Sequence, residues 1–110
     1  MVKSSTAQLD SIFHALSDPT RRSILRVIAG KEKTVGEIAR PYRISLAAVS
    51  KHLKVLESAD LITRERQGSF QVVRLKAQSL KTAEEWLSYY KQFWNERLDA
   101  LQNLFEGDKE

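Results

Sequence analysis

The tightest constraint on how this chain folds lies between residues 34 and 45. Thr34-Val35-Gly36-Glu37 is a capping-box pattern, a hydroxyl at the cap with a carboxylate three positions on. The helix it opens carries Val35, Ile38 and Ala39 and has to be short, because Pro41 lacks an N–H and disfavours helical geometry at Arg40. Ser45 offers a second N-cap only a few residues later. The helix after it places Leu46, Val49, Leu53 and Leu56 on one stripe, at spacings of 3, 4 and 3. Two helices joined by a turn of about four residues, the second the longer, form a helix-turn-helix.

The flanking segments read in the same way. Leu9, Ile12, Phe13 and Leu16 predict a first helix over Leu9–Ser17. Asp18 is suited to cap a second, with Pro19 in its first position, and that helix buries Ile24, Leu25 and Ile28 before Gly30 ends it. After the helix-turn-helix, residues 61–66 and 70–75 are strand-like runs around Gln67-Gly68-Ser69, which signals a hairpin. Two strands are not stable alone in water, so the hairpin packs on the helices as a wing. Residues 79–105 then predict a long helix without internal Gly or Pro. It carries Leu80, Ala83, Leu87, Tyr90, Trp94, Leu98, Leu101 and Phe105 at spacings of 3 or 4, with Trp86, Tyr89 and Phe93 widening the stripe. At about 1.5 Å per residue such a helix is about 40 Å long, more than the small globule before it needs as cover.

The expected fold is mostly α with a two-stranded β-hairpin: a winged helix-turn-helix of about five helices plus the wing. Residues 1–78 are expected to form the winged helix-turn-helix, 79–105 the long last helix of the same domain, and 106–110 a disordered tail. With 110 residues, 42% apolar and 29% charged, the chain suits one soluble domain. No apolar run approaches the roughly 18 residues that cross a bilayer, and the N-terminus lacks a signal-peptide core. The absence of cysteine excludes disulfides, thiolate metal sites and a Cys nucleophile, and suits the cytoplasm.

The net charge of +4 is unevenly placed. Residues 1–76 hold 14 Lys and Arg against 7 Asp and Glu, whereas residues 77–110 hold 4 against 7. Nucleic acid is the commonest polyanion for a basic domain of this size. With the apolar stripe of the 45–56 helix turned inward, Ala47, Ser50, Lys51 and Lys54 lie outward, small near the start and cationic towards the middle. That suits a helix entering the major groove, with Ser50 and Lys51 able to reach base edges and Lys54 a phosphate. Two lysines alone would not separate this from a solvated face; the capped helix before and the basic hairpin after favour DNA. Ser45 and His52 complete the candidate set on this helix, His52 as a packing or phosphate-contacting residue. On the wing, Arg64, Arg66, Gln67 and Arg74 are candidates for flanking phosphate or minor-groove contact. Arginines can also simply protect a sheet edge. Arg21 and Arg22 oppose the helix dipole and so need another reason, with a structural role expected for at least one.

The C-terminal stripe offers more apolar surface than so small a domain leaves exposed. Self-association through Leu87, Tyr90, Trp94, Leu98 and Leu101, together with Leu9, Ile12 and Phe13 of the first helix, would bury it. A two-fold dimer presents two recognition helices to a palindromic site, with half-sites about one turn apart.

Two stretches, Ala15-Leu16-Ser17-Asp18-Pro19-Thr20-Arg21-Arg22-Ser23-Ile24-Leu25 and Val49-Ser50-Lys51-His52-Leu53-Lys54-Val55-Leu56-Glu57, make the chain resemble the ArsR/SmtB family of bacterial repressors. The resemblance covers about Leu9 to Leu75, with the last helix in the expected place. It implies a winged-helix homodimer built on the first and last helices that binds operator DNA and usually represses. Metal-sensing members carry a Cys-x-Cys pair before the recognition helix, where this chain has Thr34-Val35-Gly36-Glu37-Ile38-Ala39. Others use Asp and His on the final helix, which here holds no histidine. The expectation is therefore a non-metal branch with no cofactor, no membrane partner and an unidentified effector. The second functional reading is a protein-interaction module that uses the aromatic helix without specific DNA binding. An enzyme is not expected, since there is no Gly-rich phosphate loop and no nucleophile motif.

Overall fold

The computed structural model describes residues 2–108. In chain order the elements are α1 (Val2–Leu16), α2 (Pro19–Gly30), β1 (Lys33–Thr34), α3 (Val35–Ala39), α4 (Leu46–Ser58), β2 (Ile62–Gln67), β3 (Phe70–Leu75) and α5 (Ala77–Asp108). This is a winged helix-turn-helix. Five helices and the β2–β3 hairpin follow the expected order, but the sheet has a third strand. β1 pairs antiparallel with β3, Lys33 opposite Val73 and Thr34 opposite Val72, so the order is β1-β3-β2. A two-residue strand has no periodicity to reveal it. The hairpin turn is also tighter than expected: Gln67 pairs with Phe70, leaving Gly68 and Ser69 as the turn. Gly68 sits at φ 63, where a side chain would be strained.

The helix starts follow from side-chain chemistry. The Asp18 carboxylate accepts from Arg21 N at 3.0 Å, Thr34 and Glu37 close a reciprocal capping box, and Ser45 Oγ accepts from Ala48 N at 3.1 Å. The end of α1 is satisfied from α2. Arg21 donates to the carbonyls of Ala15 and His14 at 2.7 and 3.0 Å, and Arg22 donates to that of Leu16 at 2.7 Å. Both arginines thus cover carbonyls of the last turn of α1 that have no partner within the helix, the His14 carbonyl also accepting from Ser17, and this outweighs their unfavourable place in the dipole of α2.

α4 ends in a Schellman turn. Leu61 N donates to Leu56 O and Asp60 N to Glu57 O, with Asp60 in the left-handed region at φ 62. The Asp60 carboxylate then accepts from Lys76 Nζ at 2.7 Å and Ser79 Oγ at 3.3 Å. One residue therefore joins the ends of α4 and β3 to the first turn of α5.

The core gathers Ile12 and Ala15 of α1, Ile24, Leu25 and Ile28 of α2, Ile38 of α3, and Val49, Leu53 and Leu56 of α4. Leu61, Ile62, Val73 and Ala83 close it. Two expectations are corrected here. Leu46, read as part of the inward stripe, is 60% exposed, because the first turn of α4 stands beyond the core. Ile12, read as a dimer contact, is 0% exposed inside the protomer and has no surface to offer a partner.

Both terminal helices are longer than the sequence pattern indicates. α1 begins at Val2 rather than Leu9, and α5 runs from 77 to 108 rather than 79 to 105. Of the tail expected over 106–110, residues 106–108 are helical, and Lys109 and Glu110 lie outside the described residues. α5 is 32 residues long, about 48 Å. Only its start is anchored: Ser79 and Ala83 are buried and Leu80 is partly so, whereas every residue from 84 to 107 is exposed. The protomer consequently measures 69 × 36 × 21 Å, with a radius of gyration of 19.1 Å. A compact chain of this length has a radius of about 13 Å. Among the described residues no helix is long and apolar enough to cross a membrane.

Three carboxyls at these junctions are held below their ordinary values. Asp18 is lowered chiefly by the backbone N–H of Arg21, Glu37 by that of Thr34, and Asp60 by the hydrogen bond from Lys76. A carboxyl whose folded pKa lies below its unfolded one stabilises the fold fully above the unfolded value, and that stability is lost as pH falls through the folded pKa. The thermal midpoint is expected to be flat down to about pH 5 and to fall below about pH 4. Asp18→Asn, which keeps a capping oxygen, should flatten part of that fall. A midpoint that rises on acidification would contradict the assignment.

Candidate nucleic-acid interface

The outer face of α4 is positioned by its inner one. With Val49, Leu53 and Leu56 fixed in the core, Ala47, Lys51 and Lys54 are left exposed and Ser50 half-buried. Among the described residues neither Lys51 nor Lys54 has an ion-pair partner. Ser45 is exposed too, but its hydroxyl is engaged as the cap of α4. His52 does not share the outer face. Its Nδ1 lies 3.3 Å from the Arg21 guanidinium and 3.9 Å from the Asp18 carboxylate, so that edge of the ring is occupied where α1 and α2 meet.

The wing divides its cations. Arg64 is held by Glu57 of α4 at 2.9 Å. Arg74 bridges Glu32, before β1, and Glu65 on β2, and these two carboxylates raise its pKa above the ordinary value. The two arginines therefore fasten the wing to the body, and their charge is largely answered within the fold. Arg66 and Gln67, exposed near the tip, are different: among the described residues Arg66 has no ion-pair partner.

Sequence reasoning left out two cations. Arg40 and Arg43 are exposed in the turn between α3 and α4, also without an ion-pair partner among the described residues. The run Arg40-Pro41-Tyr42-Arg43 carries the signal, two cations flanking a residue pair that ends one helix before the next begins. Tyr42 between them ties the turn to α2, its hydroxyl donating to Ser23 Oγ at 2.8 Å. Beside this turn, Leu46 of α4 and Phe70 of the wing line one shallow hollow with Thr34, Val35 and Gly36. The apolar step between α4 and the wing has no signature in the sequence, where Leu46 falls at the same helical spacing as the core residues Val49, Leu53 and Leu56.

Away from this face, the proposed association residues fall into two groups. Leu9 and Phe13 are half-buried on α1, and the Phe13 ring meets Trp86 of α5 edge-on at 5.4 Å. Leu87, Tyr90, Trp94, Leu98 and Leu101 are all exposed along α5, next to an aromatic ladder in which Trp86 contacts Tyr90 and Tyr89 contacts Phe93. Among the described residues no group of three His, Cys, Asp or Glu comes together that could hold a metal ion.

Residues 16–65 match a helix-turn-helix domain family. The chain is 37% identical over 79 residues to the transcriptional repressor SdpR of Bacillus subtilis, covering 72% of this chain and 88% of that protein. It is 34% identical over 99 residues to the HTH-type transcriptional regulator Rv2034 of Mycobacterium tuberculosis, covering 90% of each. A crystal structure of an ArsR family transcriptional regulator superposes with a TM-score of 0.76 at 32% identity, over 82% of this chain and 93% of that one. The chain belongs to the ArsR/SmtB family. Membership makes it a winged helix-turn-helix regulator of transcription and gives the basic face of α4 its context.

Proposed function

We propose that this chain is a homodimeric, sequence-specific repressor that acts on a palindromic operator in the cytoplasm. α4 reads the major groove and the tip of the wing touches the flanking backbone. The observation that carries the reading is the face of α4 that shows Ala47, Ser50, Lys51 and Lys54, its two ammonium groups unanswered by any carboxylate among the described residues. Small residues permit close approach, Lys51 suits guanine acceptors and Lys54 suits a phosphate. Leu46, exposed at the first turn, adds an apolar group of the kind that meets thymine methyls. Arg40, Arg43 and Arg66 supply further phosphate contacts. The dimer is supported by the uncovered apolar length of α5, and repression by the similarity to the transcriptional repressor SdpR.

The test is binding to a duplex selected from a random pool, compared with unselected duplex across a salt series. Lys51→Ala is expected to weaken the selected site by about 1–3 kcal/mol and the unselected duplex by less. Arg66→Ala should reduce the salt slope by about one, while Arg74→Ala, whose charge is already answered, leaves it nearly unchanged. Equal affinity for selected and unselected duplexes would sink the sequence-specific claim.

A further inference from the structure

A groove of about 490 Å³ separates α1 from α4, lined by Ser11 and His14 on one side and by Lys51, Lys54, Val55, Ser58 and Ala59 on the other. Ser11 and His14 lie three residues apart on a face of α1 different from the one that meets Trp86. The floor, Val55 and Ala59, is apolar, and the rim is cationic and hydroxylic. Lys51 and Lys54, three apart on one helix, are neighbours whose like charges repel. A bare phosphate would answer the lysines and leave the apolar floor uncovered, whereas a hydrocarbon would do the reverse.

We propose that this groove binds a small amphipathic carboxylate. Its apolar body lies against Val55 and Ala59, its carboxylate sits between the two ammonium groups, and Ser11 and Ser58 are in reach as hydrogen-bond partners. The size suits an occupant of modest molecular weight, within the roughly 300–1,000 Å³ of ordinary ligand sites. The regulatory consequence rests on the DNA reading of α4. The carboxylate occupies the two lysines that face the duplex, so ligand and operator compete, and the ligand is an inducer.

The experiment titrates the isotope-labelled full chain with 4-phenylbutanoate, and in parallel with 4-phenylbutanamide and inorganic phosphate, following backbone amide resonances. The carboxylate is expected to move Ser11, His14, Val55 and Ser58, with the neutral amide and phosphate at least about tenfold weaker, since each lacks half of the complementarity. Val55→Trp fills the groove; Ser58→Phe, at an exposed position, serves should the first variant not fold. Either is expected to weaken the carboxylate about tenfold or more while leaving the affinity for the selected duplex unchanged. Saturating carboxylate should weaken duplex binding by wild type and not by the filled variant. Equal binding of the amide, shifts confined to the α5 aromatics, or no shifts at millimolar carboxylate would overturn the proposal. Carboxylate bound in the groove of a chain that ignores DNA leaves the site standing and removes the regulator reading. Specific DNA binding without carboxylate binding removes the site alone.

Discussion

Leu98→Glu is expected to convert the proposed dimer of twice 12.6 kDa into a 12.6 kDa monomer in sedimentation at micromolar concentration. Leu98 lies in the middle of the exposed stripe of α5, between Trp94 and Leu101. In a two-fold dimer a substitution there enters the seam twice, placing two unpaired carboxylates in an apolar interface. Their combined cost is at least about 4 kcal/mol, or about a thousandfold in the dimer constant. Operator affinity should fall by about 10²- to 10⁴-fold, because each half-site is then held by one winged domain without its tethered partner. Asn103→Glu, on the opposite side of the helix, is the matched control and should change neither mass nor affinity. A Leu98→Glu protein that still sediments as a dimer places the seam elsewhere.

The second large effect concerns α4. Leu53→Ala is expected to cost about 2–5 kcal/mol of folding stability, since the side chain is fully buried at the centre of the core and its removal leaves a cavity that the fold can only partly close. For a domain of this size each kcal/mol lowers the thermal midpoint by about 4–8 °C, so the shift is easily read. Leu46→Ala, on the same helix and the same nominal stripe, should remain within about 0.5 kcal/mol of wild type. Urea unfolding with an unchanged slope checks that the difference is stability and not a looser denatured state. Comparable losses for both leucines would mean that the first turn of α4 is packed after all.

Those two leucines also show how far the sequence could be read. Helical spacing correctly grouped Val49, Leu53 and Leu56, and the caps at Asp18, Thr34 and Ser45 were visible because capping is local chemistry. Periodicity says which residues share a face and is silent on where the core stops along the helix, so Leu46 was misassigned. Ile12 failed for the related reason that a stripe does not say whether its cover lies within the chain or in a partner. The wing arginines were legible as basic residues, but their partners were not: Glu32 lies 42 positions from Arg74. β1 was invisible because its pairing depends on the β3 edge and on nothing within Lys33–Thr34. Arg21 and Arg22 were seen to need a structural reason, and only the three-dimensional return of α2 past the end of α1 supplied the carbonyls.

The turn at Asp60 has a mechanical consequence. Since the ends of α4 and β3 and the root of α5 meet at that carboxylate, α4 and the long helix share a fulcrum, with α5 as the lever arm. A tilt of about five degrees there sweeps the far end of a helix about 48 Å long through roughly 4 Å. In the proposed dimer the lever works in reverse. Clamping the distal ends of two such arms to within an ångström restricts the angle at each fulcrum to about one degree. The pitch at which the two reading heads meet the double helix is then set by packing far from the DNA.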